Sequence, residues 1–597
     1  MKELAVEKLG KSVAFGPVNA GRRHLVVVGG GQSAKWLLFW LCEQLARDGT
    51  SLPLRAVTVV ESQAEAGTGL AWNRENVLES HLASRSIAIS RWTFGDKQRE
   101  QFRATIDFLR EMGVAAETRL GDEVVAIEKV CDGFDVLLRS GAKLDADHVV
   151  LATGYGVRPW RGKAVALQQA LKAGWPGAHS SPWPATGLQR DVFDDRDQSR
   201  KRVLVLGTYL TAVDAVITLA TRAGRFTRDS TGRLSFEAPV GFSIAMASRT
   251  GLLPKAWGRE DASAWKLRHF TKEALLALMV ETPRGAFLPL DAALDLVRNE
   301  LAFAARHHGD VVPSVLREDR SSFQRLAAFK RWLMRRDAAS TLRADIAAVA
   351  GYGPLDADLS PAQRPGWQVP VDRVLALWAE MSPWFSAEDA GRFDRELRSV
   401  FFNHMLPMPL ASALHLDAMF VAGHLKVVRL GRHYELNLET LTAETIELSN
   451  VGANEGGRRH FTDVVDATGH DGDLQRSEST LVRSLLDTGM AQPALRRYRH
   501  ALTKTYIASA GADQGAPGID DYMRCAGIYV NPKTCEVIPK GRLDFDFSHP
   551  KDGALYAIGP NLGGQFADAQ SIGQADRDAR RVISDLVRRQ SDIGTSH

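Results

Sequence analysis

The 597-residue chain is poor in cysteine: Cys42, Cys131, Cys525 and Cys535 are all it has, and no two stand in a CxxC or metal-ligand spacing. That argues against a zinc site and against the close thiol pair through which disulfide reductases pass electrons, and it fits a reducing, cytoplasmic setting. A long apolar run is also missing. The greasiest stretch, WLLFWL at Trp36–Leu41, is far short of the roughly 20 residues that a membrane span needs. The N-terminus lacks the apolar core of a signal peptide, so no membrane partner is expected. Nor is there much charge of one sign: a net +4 gives no footprint for nucleic acid. The basic stretch Arg577 to Arg589 carries acids too and reads as a solvated helix face. No Ser–His–Asp or phosphate-transfer constellation is visible. With 45% hydrophobic and 24% charged residues, what remains is an ordinary globular protein, too long for one core and expected to form two or three domains.

What is present begins at His24, where the chain reads HLVVVGGGQSAKW. A buried strand runs into Gly29, Gly31 and Ala34, and a long apolar helix follows. Gly29 allows the tight turn, Gly31 lets backbone approach a pyrophosphate, and Ala34 lets helix and strand pack closely. The start of the helix, at Gln32 and Ser33, supplies unpaired N–H groups to phosphates. A second strand, AVTVVE, ends at Glu61, placed to accept hydrogen bonds from a ribose; the polar DGTSLP absorbs the long spacing from Gly31 as loop. From Glu123 to Asp147 apolar and polar residues alternate as in a β-meander, leading into HVVLATG and its Thr153-Gly154 end.

The same order then recurs. VLVLGTYLTA starts a second strand–turn–helix unit with Gly207 and Ala212, SIAMASR supplies its second strand, Leu425 to Leu448 reads as another meander, and DVVDATG ends at Gly469. Tyr209 stands where the second glycine belongs. Arg249, with Ser248 beside it, follows the second strand, where an Arg meets the 2′-phosphate that separates NADPH from NADH. The repeat predicts an α/β chain of two Rossmann-type dinucleotide-binding domains with a helical insertion.

On these motifs the chain resembles the two-dinucleotide-binding-domain flavoproteins, among them flavin-containing and N-hydroxylating monooxygenases. Within them it is most similar to bacterial FAD/NAD(P)-binding proteins with GLAW-type and GTGLTAVD-type motifs, here GTGLAW (Gly67 to Trp72), GTYLTAVD (Gly207 to Asp214) and SRTGLLPKAW (Ser248 to Trp257). The resemblance implies FAD at the first site and NADPH at the second. It implies that LYAIGPNLGGQFADA closes the FAD site through Gly559, Gln565 and Phe566, with a helix starting near Phe566; Pro560 replaces an Asp that many relatives carry after that glycine. In AGWPGAHSSPWP it implies a catalytic position beside the nicotinamide for His179 and Ser181, where the residues alone also allow a proline-rich surface linker.

Between these units the pattern turns helical. FTKEALLALM, LDAALDLVRNELAFAARHH and FQRLAAFKRWLMRR carry apolar residues at i, i+3, i+4 spacing. FFNHMLPMP reads as a loop bounded by prolines, in which Asn403 and His404 line a substrate pocket or simply bond at a domain junction. The expected layout is a tail at 1–22, FAD-binding parts at 23–165 and 476–597, NAD(P)-binding parts at 185–260 and 403–475, and the insertion at 261–402. The resemblance implies an NADPH- and oxygen-consuming monooxygenase that works through a flavin hydroperoxide on a small amine or amino-acid-like metabolite. An FAD-dependent reductase without oxygen insertion and a noncatalytic FAD-binding protein remain open, as does a homo-oligomer.

Overall fold

A computed structural model describes residues 23–594 apart from 49–53, 83–88, 132, 155–168, 171–172, 194–199, 231, 258–264, 284, 310–311, 313–315, 317–321, 351–365, 432–433, 438–445, 451–457, 470–472, 500–520 and 544–552. The expected tail at 1–22 and most of DGTSLP lie outside the described residues. The first unit follows from its apolar runs. Strand β1 (Arg23–Val28) leads into helix α1 (Gln32–Arg47), then β2 (Leu54–Glu61), α2 (Arg91–Glu111) and β3 (Ala115–Leu120). A three-stranded antiparallel meander, β4 (Val124–Lys129), β5 (Phe134–Leu138) and β6 (Lys143–Ala146), precedes β7 (His148–Leu151). Leu25, Val26 and Val27 are fully buried, as a strand covered on both faces requires.

The second unit is built from β8 (Ala178–His179), β9 (Arg202–Leu206), α3 (Leu210–Ala223), β10 (Ser243–Ser248), β11 (Leu425–Arg429), a meander of β12 (Tyr434–Asn437), β13 (Ile446–Asn450) and β14 (Arg459–Phe461), and β15 (Asp463–Asp466). The last strand, β16 (Leu555–Ala557), returns to the first sheet. The parallel sheets have orders β16-β7-β1-β2-β3 and β11-β10-β9-β15-β8. They are two copies of one plan, each centred on the strand that feeds its glycine turn.

Several expectations need correction. Leu425–Arg429 belongs to no meander; it pairs in parallel with β10 as an outer strand of the second sheet. The Ala178-His179 stretch of the presumed linker pairs with β15 and forms the other edge. FTKEALLALM keeps only one short helix, Lys272–Ala277, before Val280–Thr282 turns extended. The C-terminal helix starts at Ile572, not near Phe566, because residues 559–562 form a tight turn first.

The insertion is the crossover from β10 to β11, the connection that in the first unit is made by α2. Its helices include α4 (Leu290–His307), α5 (Ser322–Leu333), α6 (Ala338–Ala350), α7 (Val371–Met381), α8 (Arg398–Met405) and α9 (Leu410–Val421). Of these, α4, α5, α7 and α8 pack a separate aromatic-rich core around Trp378, Phe393 and Phe401, while α6 and α9 pack on the core of the second unit. FFNHM is therefore the end of α8 rather than a loop.

The two units meet at a buried ion pair. Arg91, the first residue of α2, places Nη2 2.6 Å from Asp214 Oδ2 on α3, with side chains 11% and 8% exposed. Nearby, Leu78 N–H donates to His81 Nδ1, so Nε2 carries the ring proton and donates to Thr218 Oγ1 at 2.8 Å. Removing one member of such a pair strands the other charge in the interior. Asp214→Ala should therefore lower unfolding free energy by about 3–5 kcal/mol; a urea midpoint equal to wild type would show that the pair joins nothing.

His148 is 1% exposed, and burial, with the Arg23 and Arg589 guanidinium groups, brings it down to about 3. Folding keeps it neutral, whereas the unfolded chain protonates it near the ordinary 6.5. Its contribution is complete above that value and is lost as pH falls towards the folded one, by about 1.4 kcal/mol per pH unit. Stability measured between pH 6.5 and 4 should show a slope flatter by that amount in His148→Gln.

Candidate functional site

Each glycine turn is shaped by the strand beside it. Gly29 has φ +98°, and a side chain there would meet the Ala152 carbonyl at 2.5 Å; Gly207 has φ +125° and would meet the Ala467 carbonyl at 2.6 Å. Both Ala carbonyls belong to the ATG ends of β7 and β15, so the two motifs interlock in each copy. Ala34 and Ala212 are fully buried, and Ala212 Cβ lies against the Gly207 turn.

Gly31 differs. A Cβ there would meet nothing nearer than Gly69 Cα at 3.5 Å, an ordinary contact. Nothing among the described residues demands a glycine at this position; what its absent side chain keeps open is the cleft. Neither Gly31 at the start of α1 nor Tyr209 at the start of α3 provides a side-chain cap. Ser90, Thr271, Ser386 and Ser479 do so elsewhere. The first N–H groups of α1 and α3 are thus left to an acceptor outside the helix.

Both helix starts open on one cleft of about 3330 Å³. The first unit lines it with Gly29, Gly31, Gln32, Ser33, Glu61, Thr153 and Gly154, the second with Gly207, Tyr209, Ser248, Arg249 and Asp466 to Gly469. Pockets for a single drug-sized ligand run to roughly 1,000 Å³, so this one has room for more than one. Glu61 is already engaged: its carboxylate accepts from Gly30 N–H at 2.6 Å and Gln63 N–H at 2.9 Å, holding the turn. Gln32 donates to the Gly67 carbonyl at 2.8 Å, while its buried Oε1 has no partner among the described residues. Arg249 is exposed at the end of β10, and Ser248 Oγ accepts from Gly251 N–H at 3.0 Å.

Tyr209 solves its own steric problem. Its hydroxyl donates to the Phe402 carbonyl at 2.6 Å and lies 3.2 Å from that of Leu406, and its ring packs on the insertion core. Burial pushes its phenol well above 10. The side chain is turned out of the glycine turn and grips the last turn of α8, where the Phe402 carbonyl also accepts from Leu406 N–H at 2.9 Å.

Other candidates lie elsewhere. His179 Nε2 is 3.3 Å from Asp463 Oδ1, and Lys201 Nζ is 3.0 Å from Asp463 Oδ2. Asp463 and Lys201 sit where β15 and β9 begin, whereas the turns follow the strand ends, so His179 is removed from the cleft. Ser181 Oγ accepts from Trp183 N–H at 3.1 Å and shapes the linker; Trp183 reaches the cleft instead. Gln565 bonds at both ends to the Val530 backbone, at 2.7 and 3.1 Å, and Phe566 is in the first core. Neither side chain lines the cleft, though Gly559 packs so close to Ser33 that a Cβ would fall 2.2 Å from its Oγ. Asn403 lines the cleft but donates to the Leu253 carbonyl. His404, on the other side of α8, lines a separate cavity.

The sequence reading missed Lys35 and Asp466. Lys35 is 4% exposed beside the cleft, its ammonium 3.8 Å from the Trp36 ring, and burial lowers it to about 8. Its signal was a charge set inside an apolar helix start. Asp466, 1% exposed, accepts from Thr468 N–H at 3.0 Å and fixes the second ATG end. Its signal was the acid that interrupts VVDATG.

Residues 79–156 match a family model described as FAD-NAD(P)-binding. Over 505 residues the chain is 23% identical to the uncharacterized protein YdhS of Escherichia coli (strain K12), spanning 75% of this chain and 83% of that one. Solved structures that it matches include ornithine hydroxylase from Pseudomonas aeruginosa (14% identity, 95% and 99% of the two chains, TM-score 0.41). Another is L-lysine 6-monooxygenase from Pseudomonas syringae (14%, 95% and 100%, TM-score 0.40). A third is thioredoxin reductase from T. acidophilum (11%, 95% and 99%, TM-score 0.37). Values this low say nothing about substrate or chemistry. The family match adds a cofactor class to the geometry: the chain carries an FAD/NAD(P)-binding segment of Rossmann type.

The Tyr209 tether is open to measurement. Tyr209→Phe removes one buried hydroxyl donor and should cost about 1 kcal/mol of stability, whereas Tyr209→Gly also removes the ring from the insertion core and should cost about 3–5 kcal/mol. Equal unfolding midpoints for Tyr209→Phe and wild type would mean that α8 does not depend on it.

Proposed function

We propose that the protein is an FAD-dependent, NADPH-consuming monooxygenase acting on a small amine or amino-acid-like metabolite. One observation carries the reading: the two uncapped helix starts, one in each Rossmann unit, open on the same cleft. Two nucleotides held there share one enclosed space, which is what hydride transfer between them needs.

The residues present fit an FAD. Among the described residues, Gly31 leaves space that no other residue fills, the first N–H groups of α1 have no side-chain cap, and Gln32 Oε1 is buried without a partner. Gly31, Gln32 and Ser33 would hold the pyrophosphate, and Glu61 would add the ribose to the contacts it already makes. When bound, FAD supplies the two-electron chemistry between nicotinamide and oxygen. At the second turn the N–H groups at the start of α3 would receive the other pyrophosphate. Arg249 would pair with the 2′-phosphate, whose two charges suit a guanidinium fork. The cleft also presents Asp372, Asp394 and Asp568 together with Arg395 and Arg398. Acids and bases in one space suit a substrate carrying both an amine and a carboxylate.

The oxygen-free alternative in its disulfide-reducing form finds no support. All four cysteines are free, and burial pushes Cys42, which borders the cleft, up to about 12, where it is no nucleophile at neutral pH.

The test begins with the purified protein, which should be yellow and should lose its flavin in Gly31→Val. The holoprotein should be reduced faster by NADPH than by NADH, a preference that Arg249→Ala removes. Mixing the reduced holoprotein with oxygen in a stopped-flow cell then separates the readings. A transient absorbance that NADP⁺ prolongs supports oxygen insertion. Reoxidation by organic acceptors alone makes the protein a reductase.

A further inference from the structure

Beside the insertion helices, on the other side of α8 from the nucleotide cleft, lies a second cavity of about 230 Å³; Met405 of α8 borders both. Its walls come from Leu294, Val297 and Leu301 on α4, Phe329 on α5, Val349 on α6 and Val400 on α8. An engineered apolar cavity of roughly 150 Å³ is already enough to take up benzene. This one is larger, and it is not wholly apolar.

Most of its polar groups are matched. Lys255 Nζ is 2.6 Å from Asp345 Oδ1, and Gln368 donates to the Ala256 carbonyl at 3.2 Å. His404 is different. Its Nδ1 lies 2.8 Å from the Val400 carbonyl, which can only accept, so Nδ1 carries the proton. Burial, with the Lys255 ammonium nearby, lowers its pKa to about 3, so the ring is neutral. Nε2 is consequently a bare acceptor, and it has no hydrogen-bond partner among the described residues. The rings of Phe329 and Trp367 stand 5.5 and 5.6 Å from the imidazole, centroid to centroid. An apolar chamber, two aromatic walls and one unused acceptor make a specific arrangement, because pockets of this kind fix orientation with few polar groups.

We propose that this cavity is a binding site for a small aromatic molecule with one ring O–H or N–H donor, a phenol or an indole, which donates to His404 Nε2 between Phe329 and Trp367. The site is independent of the flavin reading. It lies one helix away from the nucleotide cleft, since the same α8 turns Ser399, Phe402 and Asn403 towards that cleft.

Calorimetry on the full-length protein with phenol, indole and toluene tests it. Toluene has the shape of phenol without the donor. Phenol and indole should saturate, with phenol about fivefold tighter than toluene, the worth of one net hydrogen bond. His404→Phe leaves the phenol hydroxyl without an acceptor and should make phenol the weaker of the two, and Leu301→Phe, which fills the cavity, should weaken all three. The ratio of phenol to toluene in wild type stands as evidence even if a variant fails to fold. Equal affinity of the two in wild type, or no saturation by any of the three at millimolar concentration, overturns the proposal.

Discussion

The ion pair between Arg91 and Asp214 is the contact on which the site depends. Two Rossmann units in one chain make a shared cleft only if their strand ends face each other at a fixed distance. The pair is buried, so losing either member would leave the other charge in the interior without a partner. Arg91 Nε also donates to the Leu82 carbonyl at 3.2 Å, and its guanidinium carbon lies 5.4 Å from the centre of the Trp72 ring. Trp72 closes the GTGLAW motif and Asp214 closes GTYLTAVD, so these two sequence signatures meet in space through one arginine. Gly67, at the head of the first motif, donates to the Gly30 carbonyl at 2.6 Å. A line of contacts thus runs from the first glycine turn to the helix that follows the second.

How far the sequence disclosed this can be judged residue by residue. The turns were legible because their requirements are local. A positive φ and a close carbonyl at Gly29 and Gly207 leave a mark of single residues at set spacing, and each ATG ends an apolar run. The edges of the second sheet were not legible. Leu425–Arg429 alternates like a meander strand, and its parallel pairing with β10 is decided across the whole length of the insertion. His179 was misleading for a similar reason. Its motif suggested a nicotinamide neighbour, but β8 pairs with Val464 and Val465 of β15, and the imidazole is drawn back to Asp463 at the start of that strand. Gln565 and Phe566 sat close in sequence to a flavin-site signature, yet the chain uses both to tie its own backbone and core together.

Tyr209 shows how a fingerprint can lose a residue type without losing its geometry. The second glycine of such a turn matters for the space it leaves, not for its own conformation. A larger residue fits wherever its side chain finds another destination, and here α8 provides one by offering two carbonyls at its end. The substitution therefore belongs with the insertion. The first unit, whose crossover is α2 alone, keeps a glycine at the matching position, Gly31.

This gives the insertion a role in the second nucleotide turn as well as in enclosing the cleft. Through α8 it presents Phe402 and Leu406 to Tyr209, Ser399 and Asn403 to the cleft, and Val400 and His404 to its own cavity. One short helix thus has three neighbours, and none of its faces is free to shift independently of the others. Close packing makes such a helix either hold its place or move as a body. The enlargement of one crossover, from the single helix of the first unit to the helical body of the second, is what makes the two copies unequal. The first unit retains its second glycine at Gly31; the second has given that position to a contact with the insertion.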